Sequence, residues 1–201
     1  MRPTAACAAL AIFVAGAPTI TQAQAADPAA AQIQAFNATL LETMRQAKKL
    51  GPKGRFQKLD PAIAQHFDLP TMTRFAVGSS WTTLSPAEQS TLVTAFRRMT
   101  AATYAHNFDG YNNQRFTIDP EVVSRGPDKL VRTHLIGGGD KTDLTYRMRQ
   151  VGGTWKIIDV YYNSTVSSLL GQRSEYASTL KSGGAPALVK KLNSRADQLL
   201  A

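Results

Sequence analysis

Cysteine is almost absent from the chain, since Cys7 is the single thiol among 201 residues. Cys7 lies in an N-terminal segment that we predict to be removed, so the mature chain is expected to contain no thiol. Such a chain has no disulfide, no thiolate metal site and no cysteine nucleophile. At this length the chain has room for one domain with a substantial hydrophobic core, which must then supply its stability.

Long hydrophobic runs are also missing, because no segment after the N-terminal region approaches the about 18 apolar residues of a membrane-spanning helix. The N-terminal region itself combines Arg2, a small-residue apolar stretch at 5–17 and an A-x-A tripeptide that ends at Ala25. This order predicts a secretory signal peptide at 1–25, cleaved near Ala25. We therefore expect the mature chain, 26–201, to be exported, with the bacterial periplasm as its destination.

Catalytic and metal-binding motifs are scarce. The three histidines, His66, His106 and His134, lie far apart and form no H-x-H or H-E-x-x-H pattern. The chain has no G-x-S-x-G elbow and no glycine-rich phosphate loop at the start of a helix. We therefore expect no metal, no cofactor and no enzymatic activity. One alternative stays open, because His106 and Asp109 could form an orienting pair in a small exported enzyme.

The charge balance is basic, with 23 Lys and Arg against 14 Asp and Glu and a formal net charge of +9. In an exported protein this balance suits anionic lipid headgroups or an acidic protein partner. Nucleic acid is not an expected partner in that compartment. A generally basic soluble surface is an equally valid interpretation.

Large apolar residues concentrate between 67 and 116, where the pattern predicts a short helix, a turn, a long amphipathic helix and the entry to a sheet. Ser85-Pro86-Ala87-Glu88 is a capping box with proline at the first helical position. Phe, Met and Trp at helical spacing usually form an ordinary core, but they also suit the wall of a cavity for an apolar ligand. The pattern leaves a filled core and a cavity open.

Helices are predicted on both sides of this stretch. A first helix at 28–50 is ended by glycine and proline, and a basic, exposed loop follows at 51–55. A short helix is expected to start at Pro61, after an acidic cap. Two C-terminal helices are predicted at 166–181 and 186–200.

The hydrophobic period changes to two after residue 113, which predicts strands separated by glycine turns. Connections this short force an antiparallel meander. The four predicted strands are 114–123, 129–137, 142–151 and 154–162. Together the elements predict a single α+β domain over 26–201. It would contain a curved, four-stranded antiparallel sheet with N- and C-terminal helices packed on one face around an apolar cavity.

An exported lipid carrier needs such a cavity, because exposing a chain of about 14 methylenes at about 0.8 kcal/mol each costs on the order of 10 kcal/mol. The expected lining consists of large apolar residues on the inward faces of the predicted elements. These are Met72, Phe75, Trp81, Phe96, Met99, Tyr104, Leu144, Tyr146, Met148, Ile158, Val160, Tyr162, Val166 and Leu169. Four basic residues, Arg97, Arg98, Arg147 and Arg149, are expected at the rim, where they would meet a headgroup or a partner.

Two adjoining segments resemble the MlaC family of periplasmic phospholipid-binding proteins, also called the toluene-tolerance auxiliary family. They are FDLPTMTRFAVGSSW at 67–81 and LSPAEQSTLVTAFRRMTAATYAHNFDGYNNQRF at 84–116. The resemblance continues in the same order through GGTWKIIDVYYNSTVSSLLGQRSEYASTL at 152–180 and GGAPALVKKLN at 183–193. The run NFDGYNNQRF is similar to the hopanoid-associated, HpnM-type members.

This resemblance implies a soluble α+β carrier that holds acyl tails inside and the headgroup near solvent, without metal or cofactor. It would shuttle phospholipid, or a hopanoid-like lipid, between an outer-membrane lipoprotein complex and an inner-membrane ABC transporter with an MCE-domain subunit. Such transport would serve outer-membrane lipid asymmetry. The family has no catalytic motif to carry over, so the lining residues above are inferred from the pattern alone.

Two alternatives from other classes remain at this stage. An exported hydrolase or isomerase would require His106 and Asp109 to face a cavity. A non-catalytic structural adaptor would have a filled core and no cavity. The three hypotheses differ in what the space between sheet and helices contains.

Overall fold

The structure is a computed structural model that describes residues 27–163 and 166–201, so the predicted signal peptide lies outside the described residues. Within them, five α-helices accompany a six-stranded antiparallel sheet, which confirms the α+β class. The helices are α1 (Pro28–Arg45), α2 (Ala47–His66), α3 (Leu69–Val77), α4 (Pro86–Asn107) and α5 (Ser168–Leu200), and Gly78–Thr83 forms a short 3-10 helix. The strands are β1 (Arg115–Ile118), β2 (Val123–Arg125), β3 (Asp128–Gly137), β4 (Asp140–Val151), β5 (Thr154–Tyr162) and β6 (Val166–Ser167).

Polar side chains cap the helices that have a proline in their first turn. Asp27 caps α1, and Asp68 caps α3. The capping box predicted for α4 is confirmed, since the Glu88 backbone N–H donates to the Ser85 hydroxyl at 3.3 Å and the Ser85 backbone N–H donates to the Glu88 carboxylate at 2.8 Å. These contacts satisfy N–H groups that a helix start leaves without partners. The starts of α3 and α4 therefore follow from local sequence.

The basic segment at 51–55 is helical, so the predicted exposed loop is wrong. Gly51 departs from helical geometry (φ 63°, ψ 178°), but α2 continues beyond it through Pro52. Proline is compatible with the first turn after such a break, because its missing N–H has no helical acceptor there. Arg55 is buried, and its Nε donates to the carbonyl oxygen of Ala105 in α4 at 2.7 Å. The contact that orders this segment is tertiary and leaves no local signal.

Two other helix boundaries differ from the prediction, and one agrees. α1 ends at Arg45 instead of residue 50, and Pro61 lies inside α2 instead of opening a helix. The two predicted C-terminal helices are the two halves of α5, which is broken at Gly184 (φ 65°, ψ −167°). This backbone conformation is essentially restricted to glycine. The glycine break was therefore readable from sequence.

The strand order in the sheet is β1-β3-β4-β5-β6, with β2 also paired to β3. Three predicted strands, 129–137, 142–151 and 154–162, correspond to β3, β4 and β5. The strand predicted at 114–123 is instead two strands, β1 and β2, with Pro120 between them, which has no N–H to donate to a ladder. Since β6 adds a further short strand, the predicted number of four is wrong.

Helices cover one face of the sheet, as expected. α1, α2, α3 and α5 all contact β5. Along β4, Leu144, Tyr146 and Met148 are buried. Arg147 and Arg149, on the opposite side, are only partly buried, although Thr145 on that side is buried as well. The apolar side of the sheet thus faces the helices.

An aromatic cluster joins the helices to this face. The Phe36 ring of α1 lies 5.2 Å from the ring of Phe67 and 5.5 Å from that of Tyr104, measured between centroids. It also lies 6.3 Å from the ring of Tyr146 in β4. Much of the aromatic content at 67–116 is therefore ordinary core.

Candidate functional site

A cavity of about 280 Å³ remains between this core, α3, α4, β5 and the start of α5. We call it the inner cavity. Seven of the residues predicted to line a cavity do so: Met72, Phe96, Met99, Tyr104, Val160, Tyr162 and Leu169. These side chains come from four separate elements, so only the folded chain brings them together.

Four other predicted lining residues, Leu144, Tyr146, Met148 and Ile158, are buried in the core and are not part of the wall. Phe75 and Trp81 are partly buried, and both pack against the core away from the inner cavity. Val166 lies in β6, and its side chain is outside the described part of the structure. Periodicity places a side chain on the inward face of its element but does not show whether it meets a neighbour or a gap.

Polar side chains that the sequence analysis did not assign also line the inner cavity. They are Thr100, Thr103, Asn107, Ser168 and Gln172, in addition to the aromatic Phe67. Thr100, Thr103 and Asn107 of α4 recur at intervals of three and four residues, on the same side of the helix as Phe96 and Met99. That spacing is the signal by which they could have been found.

A second concavity of about 640 Å³, the outer cavity, lies between α4 and α5. It shares Met99, Thr103, Asn107 and Gln172 with the inner cavity, so the two adjoin. Its remaining wall includes charged side chains such as Glu175 and Lys191, which are absent from the described lining of the inner cavity. It consists of His106, Glu175, Tyr176, Lys191, Leu192, Ser194, Arg195, Gln198 and Leu199. An apolar interior next to an opening with charged side chains suits an amphiphilic molecule.

The tyrosine hydroxyls at the inner cavity are neutral groups. Burial raises the pKa of Tyr104 well above its ordinary value, and nearby Tyr146 and Tyr162 add to the effect. Burial likewise raises the pKa of Tyr162, the other tyrosine in this wall. These phenols can form hydrogen bonds, but they are unsuited to proton transfer near neutral pH.

The four arginines predicted at the rim are absent from the walls of the inner and outer cavities. Arg97 makes a two-pronged contact with Asp60 of α2, with N–O distances of 2.8 and 2.6 Å. Arg98 donates to Asp197 of α5 at 2.7 Å. Both side chains therefore tie α4 to neighbouring helices.

The other two predicted rim residues, Arg147 and Arg149 of β4, share one carboxylate. Their Nε atoms donate to Asp128 of β3 at 2.7 and 2.6 Å, respectively. This ion-pair cluster links β3 to β4. Of the four arginines, Arg147 alone also borders a third concavity, described below.

The structure does not bring His106 and Asp109 together. Both side chains are exposed, and neither forms an ion pair or side-chain hydrogen bond within the described residues. His106 borders the outer cavity, and Asp109 does not. The geometry therefore offers no support for the proposed orienting pair.

A different histidine is flanked by two carboxylates, which the sequence analysis missed. The imidazole of His134 in β3 lies 2.6 Å from Asp143 of β4 and 2.8 Å from Asp119, which follows β1. Hydrogen bonds to Asp143 and then to Asp119 raise the pKa of His134. The three residues border none of the concavities described here, so their role is in joining strands.

Residues 27–163 and 166–201 contain neither a cluster of metal ligands nor a membrane-spanning helix. No group of three or more His, Cys, Asp or Glu side chains is placed to hold a metal ion. No helix in these ranges is both long and apolar enough to cross a membrane.

Known proteins similar to this chain include a family and a solved structure. A family model described as MlaC protein matches residues 34–194. The fold is similar to the structure of the phospholipid-binding protein from Ralstonia solanacearum in complex with a phospholipid, with a TM-score of 0.75 and 24% sequence identity. The similarity covers 87% of this chain and 100% of that one. No curated protein matches this chain in sequence.

Proposed function

The chain belongs to the MlaC family, and from that premise we propose that it is a non-enzymatic lipid-binding protein that carries a phospholipid. The observation that carries the proposal is the inner cavity, whose largely apolar wall adjoins the outer cavity with its charged side chains. Acyl chains would occupy the inner cavity, and the headgroup would remain near solvent. The similar Ralstonia solanacearum protein supports this reading, because its structure contains a phospholipid.

The volumes of the two cavities indicate how much of a lipid they could enclose. Ligand cavities in proteins usually measure about 300–1,000 Å³. The inner cavity, at about 280 Å³, lies at the lower limit, and the outer cavity measures about 640 Å³. Full entry of acyl chains would therefore widen the space between α4 and the first half of α5. Met72 and Met99 suit such adjustment, since methionine side chains are flexible.

We further propose a periplasmic route for the cargo. The signal peptide predicted at 1–25 would export the chain, and the family resemblance supports transfer between an outer-membrane lipoprotein complex and an inner-membrane ABC transporter with an MCE-domain subunit. A hopanoid-like lipid is the alternative cargo, because residues 107–116 are similar to HpnM-type members.

Native mass spectrometry with lipid extraction tests the proposal. The full chain would be expressed in a bacterium and purified from the periplasm without detergent. We expect a bound phospholipid in stoichiometric amount. A protein that is recovered folded but free of lipid, and that takes up none from phospholipid vesicles, would contradict the proposal.

The substitution Met99→Glu tests the position of the site. A carboxylate at the junction of the two cavities would be desolvated by an acyl chain, so we expect the variant to lose most of its bound lipid. Thr94→Glu places the same side chain on an exposed position of α4 and serves as the matched control. Equal lipid content in the two folded variants would rule out the inner cavity as the acyl site.

A further inference from the structure

A third concavity, of about 360 Å³, lies where the end of α3, the strands β4 and β5 and the first turn of α5 meet. Three arginines line it: Arg74, Arg147 and Arg173. We call it the arginine groove. Leu169 belongs both to its wall and to that of the inner cavity, so the two spaces adjoin at this residue.

Two of the three arginines have no acidic partner. Arg147 is paired with Asp128, as described above. Arg74 and Arg173 are exposed, and neither forms an ion pair within the described part of the chain. Arg74 instead lies over the ring of Phe75, with its guanidinium carbon 5.5 Å from the centroid. The groove therefore holds two guanidinium groups whose charge is not neutralised by a neighbour.

Glycine at position 78 lets one of these groups approach the end of α3. A Cβ atom at Gly78 would lie 2.6 Å from Nε of Arg173 and 2.9 Å from its Nη2. Any larger residue would displace the guanidinium. Arg173 of α5 thus lies against the end of α3, the helix that carries Arg74.

A single carboxylate, that of Asp159, is found among the described lining residues, and it is already satisfied. Asp159 is 6% exposed. One of its oxygens accepts a hydrogen bond from the Ser167 hydroxyl at 2.6 Å, and the other accepts one from the Val160 backbone N–H at 2.8 Å. An incoming cation would meet one carboxylate that is 6% exposed and already hydrogen-bonded through both oxygens, whereas an incoming anion would meet two guanidinium groups without an ion-pair partner.

We propose that the arginine groove binds the phosphate of a net-anionic phospholipid headgroup through Arg74 and Arg173. The acyl chains of the same molecule would lie beyond Leu169 in the inner cavity, so the inference rests on the proposed function. Guanidinium is well matched to phosphate because it donates two parallel hydrogen bonds. The groove also exposes Leu170, whose relative accessibility is 62%. An apolar surface beside the cations suits an amphiphile better than a free phosphate ion.

The proposal predicts a preference among headgroups. Phosphatidylglycerol carries a net negative charge, whereas the ammonium of phosphatidylethanolamine would meet the arginines and find no available carboxylate. From a mixture of the two lipids the protein should therefore bind phosphatidylglycerol preferentially. The discrimination comes from the ammonium, because both lipids carry the phosphate, and its repulsion by two exposed arginines corresponds to an enrichment of about fivefold.

The experiment is a competition between the two lipids. Delipidated protein is incubated with vesicles of equal phosphatidylglycerol and phosphatidylethanolamine and re-isolated, and the extracted lipid is quantified by mass spectrometry. The variant is Arg74→Gln with Arg173→Gln, and the control is Arg132→Gln, an exposed arginine outside the groove. We expect about fivefold enrichment of phosphatidylglycerol in the wild type and the control. In the lipid that the double variant does bind, the ratio of the two headgroups should be near one.

The outcomes separate the inference from the proposed function. No lipid on any of the proteins would overturn both. Lipid without enrichment in the wild type, or enrichment that persists in the double variant, would overturn the inference alone and would favour an acidic protein as the partner of the groove. Calorimetric binding of inorganic phosphate that requires the two arginines, without lipid enrichment, would assign the groove to a soluble phosphate and would also overturn it.

Discussion

Asp128 shows, at the scale of one residue, how the sheet accommodates a buried charge. Its relative accessibility is 1%, and its two oxygens accept hydrogen bonds from Arg147 and Arg149. Burial alone would raise the pKa of this carboxyl, but the hydrogen bonds from Arg149 and Arg147 outweigh burial and hold the pKa below 3.8. Asp128 in turn supplies the counter-charge for both guanidinium groups.

Asp128→Asn should lower the free energy of unfolding by about 2 kcal/mol at neutral pH, because it leaves two partly buried guanidinium groups without a counter-charge. Thermal unfolding followed by circular dichroism measures the difference against Asp109→Asn, an exposed control. Because the folded-state pKa is lowered, this stabilisation is present above the unfolded pKa and is lost as pH falls through the folded value. If the difference in stability between the two variants does not become smaller at acid pH, the stabilising role assigned to the ionised Asp128 carboxylate is wrong.

The stabilisation that His134 provides has the opposite pH dependence to that provided by Asp128. Its hydrogen bonds to Asp143 and Asp119 raise its pKa above 6.5 in the folded state. The stabilisation is therefore fully present below the unfolded pKa and is lost as pH rises through the folded pKa. We expect His134→Gln to reduce stability more at about pH 6 than at about pH 9, measured by urea unfolding. His106→Gln, at an exposed position, should change stability by less than about 0.5 kcal/mol at both values.

Glycine breaks define the long helices at the scale of elements. Gly51 and Gly184 both adopt positive φ with extended ψ, and each is followed by a proline within two residues. The break in α5 separates its first half, which borders the inner cavity, from its second half, which borders only the outer cavity and packs more of its residues in the core. A second glycine, Gly171, lies within the first half without such a conformation.

Gly184→Ala should destabilise the protein by about 1–3 kcal/mol, because a Cβ atom is poorly tolerated at this φ and ψ. Gly171→Ala is the matched control in the same helix, where no atom lies within 4 Å of the added Cβ. There the substitution should be neutral or stabilising by up to about 1 kcal/mol. Chemical denaturation of the two variants makes the comparison, and equal effects would show that the break carries no strain.

The whole molecule combines a filled aromatic core with a partly open space beside it. Phe36 and Tyr146 pack against each other in the core, while Met99 and Leu169 border the inner cavity. The proposed ligand would therefore complete the packing between α4, α5 and the sheet. Its contribution to stability follows from mass action, since it binds the folded state alone.

Removal of lipid should consequently lower the melting temperature of the protein. With free phospholipid at about 100 times its dissociation constant, the bound state gains about 2.7 kcal/mol. Delipidated protein should regain its original melting temperature when phospholipid vesicles are added, while Met99→Glu should gain little. Scanning calorimetry provides the measurement, and a melting temperature that is independent of lipid in the wild type would contradict a stoichiometric site.

The sequence by itself determined much of the local structure and the fold class of this protein, through capping residues, glycines and the hydrophobic period. The capping box at Ser85, the glycine break at Gly184 and the α+β class were all readable, because each depends on residues close together in the chain. The family resemblance was readable for the same reason, as it rests on ordered segments.

The tertiary structure alone decided which inward side chains meet a gap and which cations are neutralised. Leu144 and Met99 both lie on inward faces, yet only Met99 borders the inner cavity. Arg97 is paired with an aspartate, whereas Arg173 is not. The physical reason is that periodicity orients a side chain relative to its own helix or strand. Cavities and ion pairs depend on the distance between elements that the chain brings together only by folding.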